Sequence, residues 1–383
     1  MSVPRRLALA VAAPLLAIVF SLLVTSVVLL FTGAQPLETF QAMVQYAGRP
    51  RTQVLIVNSA TTYYFAAVAV AIGFRMNLFN IGVDGQYRLA ALVAAALGGT
   101  IHLPRVLHVG VVLLAAMLVG AAWAGVAGYL KVRRGVSEVI STIMLNFVAT
   151  AGIAYLLAPG RLAVTTQGSN NLGTKPIPES GQVGGLPLIP GTPLKVYGLV
   201  VLAVIVGVAF WFVVNRTRFG FDLRATGMNE AAAVASGVDV RKMVVASMVL
   251  SGAVAGLVGM PQLLGASYTY SLDFPAGLGF TGIAIALLGR NHPVGIAVGA
   301  LLWGFLDNSS QILNLRDVPV EIVQITQGVI VLSVVVAYEL VRRYRVSAVQ
   351  RDVGRRLAAT EAPSGGDGPS AAAAAQGAKG ASA

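Results

Sequence analysis

Between Gly73 and Gln86 the chain reads Gly-Phe-Arg-Met-Asn-Leu-Phe-Asn-Ile-Gly-Val-Asp-Gly-Gln, with two asparagines, an aspartate and three glycines set among apolar residues. The stretch interrupts an apolar pattern without becoming a proper loop. A helix broken at membrane depth persists only where its freed backbone groups meet protein or a water-filled cavity. Asn77, Phe79, Asn80, Asp84 and Gln86 are therefore candidates for lining a solute path. A tight turn in which Asn80 or Asp84 caps the next helix accounts for the same residues without any such path. Upstream, the apolar segment Val54–Ile72 carries Asn58, Thr61, Thr62, Tyr63 and Tyr64, polar groups that should face away from lipid. A second short, glycine-interrupted segment, Gly277–Gly289, carries Phe280. Two such defects, one in each half, point to a binding site between pseudo-symmetric halves.

Catalytic chemistry is missing. No stretch reads Gly-x-x-x-x-Gly-Lys-Ser/Thr, so no P-loop holds nucleotide phosphates, and neither His-Glu-x-x-His nor Gly-x-Ser-x-Gly occurs. There is no cysteine, and His102, His108 and His292 are scattered, so no metal site is expected. The chain reads as a non-enzyme. Asp84 and Asp307 are the acids nearest the bilayer, and an ion-coupled secondary transporter for a small polar solute is the alternative they keep open.

The elements that must position these residues are set by composition. Of 383 residues, 56% are hydrophobic and 11% charged, far below the roughly 25% charged of soluble domains. The net charge of +12 sits between apolar runs rather than on one face, which reads as topology signals and not as a nucleic-acid surface. About ten apolar segments can cross a bilayer, giving an all-α polytopic membrane protein with both termini cytoplasmic. The span Leu7–Phe31 follows Arg5 and Arg6. A turn with room for a short surface helix occupies 33–53, and Lys131, Arg133, Arg134 and Arg342 onward mark the inside. Asn146 reads as an interhelical hydrogen-bonding group, and Gly252–Gly256 and Gly295–Gly299 as close-packing GxxxG faces. Residues 1–345 form the transmembrane domain, with a long outer loop at 158–195, and 346–383 a cytoplasmic tail, disordered from about 358.

The loop 215–242 is the water-side handle. Asn229 can cap a short helix over Glu230–Ser236, with Gly237 as its stop, an arrangement suited to docking.

Phe79-Asn-Ile-Gly-Val-Asp-Gly-Gln86, Glu138-Val-Ile-Ser-Thr-Ile-Met-Leu-Asn146, Arg224-Ala-Thr-Gly-Met-Asn-Glu-Ala-Ala-Ala233 and Phe280-Thr-Gly-Ile-Ala-Ile-Ala-Leu-Leu-Gly-Arg-Asn291 together resemble the permease subunits of bacterial ABC importers for nucleosides and simple sugars. The first block looks like the nucleoside branch. The resemblance implies that the segment around Gly227, Met228, Asn229, Glu230, Ala231, Ala232, Ala233 and Gly237 is a coupling helix seated in a partner ATPase, which would bind ATP and magnesium in place of this chain. It further implies a second related permease forming a heterodimer, a substrate-binding lipoprotein meeting the outer loop, and residence in the bacterial cytoplasmic membrane. For a nucleoside, the path needs aromatic faces and neutral donors and acceptors, which Tyr63, Tyr64, Asn77, Phe79, Asn80, Asp84, Gln86 and Phe280 supply.

Overall fold

The computed structural model describes residues 19–165, 172–316, 319 and 321–334, with isolated positions between 336 and 350. The start of the first expected span (7–18), part of the outer loop (166–171), Arg342 and the tail beyond 350 lie outside the described residues. Residues 17–335 make one compact unit that holds every element named below. The second unit, 1–16 with 336–383, falls almost wholly outside the described residues.

The chain is helical. In order come α1 (Val19–Phe31), α2 (Pro36–Ala47), α3 (Pro50–Phe74), α4 (Val83–Gly98), α5 (Arg105–Arg134), α6 (Glu138–Leu156), α7 (Val200–Arg216), α8 (Arg218–Met228), α9 (Glu230–Ala235), α10 (Val240–Gly256), the short α11 (Met260–Gln262), α12 (Leu278–Leu288), α13 (Pro293–Ser309) and α14 (Glu321–Val334). A π-helical turn, Leu263–Ser267, continues α11. Among the described residues four helices are long and apolar enough to cross a membrane: α3, α5, α6 and the run Val240–Ser267. Counting the bent pairs α1 with α2 (113°) and α7 with α8 (71°) as single spans raises this to six.

Local sequence explains the boundaries. Prolines occupy the first turn of α2, α3 and α13, where their missing N–H costs nothing. The C-cap of α5 is Gly135 at φ 68°, with Lys131, Arg133 and Arg134 in the last turn against the helix dipole. Lys131 pairs with Glu138 at 2.6 Å, joining α5 to α6. Asp239 caps α10 by accepting the Lys242 N–H at 3.1 Å, which holds its carboxyl below the usual range. Gly252 and Gly256 bring α10 so close to α5 that a side chain on either would strike the Gly120 or Ala116 carbonyl, the close packing expected of this GxxxG face.

One segment differs from the sequence reading. The stretch 215–242 is mostly helix: α8 folds back from α7 at Thr217, whose hydroxyl caps it by accepting the Gly220 N–H at 3.1 Å. The glycine in α8 masked its helical pattern, but Gly220 is needed there because a side chain would meet the Val213 and Val214 carbonyls at the end of α7. The described part of the long loop 158–195 is tied down rather than loose, as an ordered cap would be. It forms a hairpin of β1 (Val164–Thr165) and β2 (Leu172–Gly173) and a 3-10 turn, Glu179–Gly181. Thr174 and Ile177 donate to the Tyr270 and Tyr268 carbonyls at 2.9 Å. Asn58 bridges Lys195 O and Tyr197 N at 3.2 and 2.8 Å. The buried His108 contacts Ser180 Oγ at 2.9 Å and Gly98 O at 3.0 Å.

Candidate functional site

The interruption after Phe74 is real, and its residues divide by depth. Its first part, Arg75–Leu78, belongs to an apolar cluster that joins Met76 and Leu78 to Leu223 of α8, Ala127 of α5 and Met243, Val244 and Met248 of α10. Gly227 presses on this tip: a Cβ there would lie 2.6 Å from Arg75 O and 2.8 Å from Met76 Cα. Asn77, in the left-handed region at φ 56°, donates from Nδ2 to Gly227 O at 2.9 Å. Arg75 Nη2 donates to Asn291 O at 2.6 Å, reaching the turn after α12. The segment that carries Gly227 and the break therefore share one core.

The second part of the break runs deeper. Asn80 and Gln86, both buried, satisfy each other: Asn80 Nδ2 donates to Gln86 Oε1 at 3.0 Å, and Gln86 Nε2 returns a bond to Asn80 Oδ1 at 2.9 Å. Asn80 also donates to Ser251 Oγ at 2.9 Å, about three turns into α10. Asn146 of α6 stitches the same stretch, accepting the Gly85 N–H at 2.8 Å and donating to Ile81 O at 3.0 Å. Every freed polar group named here has a protein partner, as a backbone interrupted away from water requires. Asn80 braces the turn by accepting the Gly82 N–H, while the N-cap of α4 is Gly82 itself.

Asp84 stands where the two interrupted helices meet. It lies in the first turn of α4, and its Oδ1 accepts the N–H of Gly277, the N-cap of α12, at 2.7 Å. A Cβ on Gly279 would fall 2.6 Å from Asp84 N, so the two helix starts touch through backbone. A carboxylate between two helix N-termini is favoured by both dipoles. Tyr87 adds a bond to Pro275 O at 2.6 Å, and Arg88 lies 3.9 Å from Asp84 Oδ2.

The aromatic candidates go separate ways. Tyr63 lines a cavity of about 230 Å³ above the start of α12, bordered by Ser59, Thr62, Tyr197, Gln262 and Phe274. Its hydroxyl donates to Asp307, which also accepts Gln327 Nε2 at 2.5 Å. Tyr64, the next residue on the helix, turns instead to an apolar groove shared with Trp211 and His292. Phe79 is about half exposed and meets Phe74 edge-on, with ring centroids 5.0 Å apart, and Phe280 is 57% exposed. The structure thus pairs Asn80 with Gln86, sets Asp84 against Gly277, links Asn77 to Gly227, and leaves Tyr64, Phe79 and Phe280 apart from them. Sequence reasoning missed Tyr197 and Gln262; their signal was faint, one polar group each in otherwise apolar surroundings.

In the segment after Gly227, Asn229 Oδ1 accepts the Ala232 N–H at 3.0 Å and α9 ends before Gly237 at φ 83°. Met228, Glu230, Ala231, Ala232 and Val234 are exposed, while Ala233 turns inward at 2% exposure, so the alanine triplet is not one smooth outer face. Among the described residues no group of acids and histidines could hold a metal.

Residues 53–335 match the family described as Branched-chain amino acid transport system / permease component. The chain is 33% identical to a guanosine ABC transporter permease of Bacillus subtilis, covering 85% of this chain and 93% of that one. It is 32% identical to a glucose ABC transporter permease of Haloferax volcanii (90% and 92%) and 30% identical to a ribose import permease of Escherichia coli (70% and 80%). No solved structure matches.

Proposed function

Because the chain belongs to the permease-component family of branched-chain amino acid transport systems, and is a multi-pass membrane subunit of the nucleoside and sugar ABC importer type, we propose that its cargo is a nucleoside. The similarity to a guanosine permease and to a nucleoside permease of Lactococcus lactis supports that choice. In this reading about ten spans form two pseudo-symmetric halves in a bacterial cytoplasmic membrane, with both termini and α8–α9 on the inner side. Lys131, Arg133 and Arg134 support this orientation, since Val132 packs on the same cluster as Leu223.

The ATPase partner grips the exposed residues of Met228–Gly237, and ATP and magnesium belong to that partner. A second related permease completes a heterodimer, and a substrate-binding lipoprotein delivers cargo to the outer loop 158–195. The observation that carries the mechanism is Gly227 seated on Arg75 and Met76, because it makes the docking segment and the break one body. Motion imposed on α9 passes through Met76 to Asn80 and Asp84, and from Asp84 to Gly277. An ion-driven carrier would need a carboxylate free to hold the coupling ion, whereas Asp84 Oδ1 is engaged by the Gly277 N–H at a helix start.

The test is guanosine uptake by cells expressing the complete importer, with and without Ala232→Pro. Proline removes the capped N–H of Ala232 and should abolish uptake while the ATPase still hydrolyses ATP. Undiminished uptake by the variant would contradict the assignment of α9.

A further inference from the structure

We propose that the apolar groove between α3, α7 and α13 seats one acyl chain of an anionic phospholipid, whose phosphate is held at the groove's end by Arg75, Arg216 and Arg224. The proposal goes beyond the importer reading and needs only that the chain spans a bilayer. The groove has a volume of about 560 Å³ and runs from Val57 and Val200 at one end to Trp211, His292 and Pro293 at the other. From Val200 to Trp211 its α7 wall rises about 16 Å, close to half of a hydrocarbon core roughly 30 Å thick. An acyl chain lying along it brings its headgroup to the level of Trp211, a residue type that gathers at membrane surfaces. Val204 and Val294 on the groove's wall are exposed, so it opens sideways on an apolar flank.

The charge at that end decides the occupant. Arg216 lies over the Trp211 ring, 5.4 Å from its centroid. Arg224 of α8 donates to the Val214 carbonyl, about one turn beyond Trp211 on α7. Arg75, at the C-cap of α3, donates to Asn291 O at 2.6 Å, and Asn291 adjoins His292 of the groove. Arg75 and Arg224 are close enough to repel each other, and the buried Arg75 Nε has no partner. Among the described residues none of the three guanidiniums is in an ion pair, and Asp222, the acid nearest to them in sequence, pairs with none of them. Cations gathered without a counter-ion favour an anion, and phosphate oxygens match the guanidinium fork. The helix α13 starts at the same end, and the positive end of its dipole adds to the pull. Basic pockets between membrane helices suit anionic headgroups for this reason. A free phosphate answers the charge but not the groove, and a neutral lipid the groove but not the charge.

The experiment reads Trp211 fluorescence of the full-length chain in vesicles of phosphatidylcholine and phosphatidylglycerol, with one lipid at a time brominated so that it quenches. Trp123 and Trp303 supply a background that is measured in Trp211→Phe and subtracted. In the wild type, phosphatidylglycerol should displace phosphatidylcholine at Trp211 with about fivefold or more relative affinity, the gain that one basic residue at a membrane surface gives. Arg216→Gln with Arg224→Gln should bring that preference to parity. Ala297→Phe, which narrows the groove, should reduce quenching by both lipids while the arginines stay in place. Equal quenching by the two lipids in the wild type would overturn the site, as would a preference that survives loss of both arginines or quenching unchanged by Ala297→Phe. Quenching by neither lipid would place protein in the groove, and loss of the preference on adding inorganic phosphate at matched ionic strength would assign the arginines to a soluble anion; either result overturns the proposal.

Discussion

The carboxylate of Asp84 accepts the backbone N–H of Gly277 at 2.7 Å, across 193 residues of sequence. That bond clasps the starts of two short helices, α4 and α12, whose backbones already touch at Gly279. A part-buried bond to a carboxylate of this kind contributes up to about 1.5–3 kcal/mol, enough to decide whether the two starts move together. Asp84→Ala should therefore cut uptake by about tenfold or more, whereas Asp84→Asn, which keeps an acceptor oxygen, should retain most of it. Uptake kinetics of the two variants, at matched membrane abundance, check this. A dead Asn variant would point instead to proton or ion chemistry at Asp84.

Asn77 tests the link at the break tip separately from folding. Asn77→Gly preserves the left-handed backbone but removes the donor to Gly227 O, costing about 0.5–1.5 kcal/mol. ATP turnover should persist while uptake falls severalfold. Asn77→Asp, which cannot donate to that carbonyl, should behave alike.

Ala231 and Ala233 are two residues apart and should respond oppositely. Leucine at the buried Ala233 overpacks the α9 seat and should lower the thermal stability of the purified subunit by about 1–3 kcal/mol. Leucine at the exposed Ala231 should leave stability unchanged and weaken only ATPase binding, measured by co-purification.

Asn58 pins the end of the outer loop through Lys195 and Tyr197. Asn58→Ala should make Lys195 more open to trypsin in right-side-out or inside-out vesicles, and the orientation that exposes the cut also reports on which side the loop lies. Cleavage at the wild-type rate in both would argue that the pin does not restrain the loop.

Much of this arrangement was legible in the residues themselves. The break expected at 73–86 appears between Phe74 and Val83, the second defect is α12, and the capped helix expected over Glu230–Ser236 is α9, one residue shorter. Those features come from local signals: glycines, an Asx cap and polar groups in apolar runs. What joins them is not local. Nothing near Gly227 announces that it packs on Met76, and Asp84 gives no hint of Gly277, because both contacts depend on how distant helices cross. The same limit scattered the aromatics. Tyr63 and Tyr64 are about 100° apart on a helix, and only packing decides which one meets a cavity.

The most direct test of the central claim is the number of solutes moved per ATP hydrolysed by Gly227→Val, measured in proteoliposomes holding the complete importer. A side chain there must push Arg75 and Met76 away and so separate the docking segment from the break. The account predicts that ATP hydrolysis continues and the ratio drops by about tenfold or more, the equivalent of roughly 1.4 kcal/mol of lost coupling. A ratio equal to that of the wild type would contradict it.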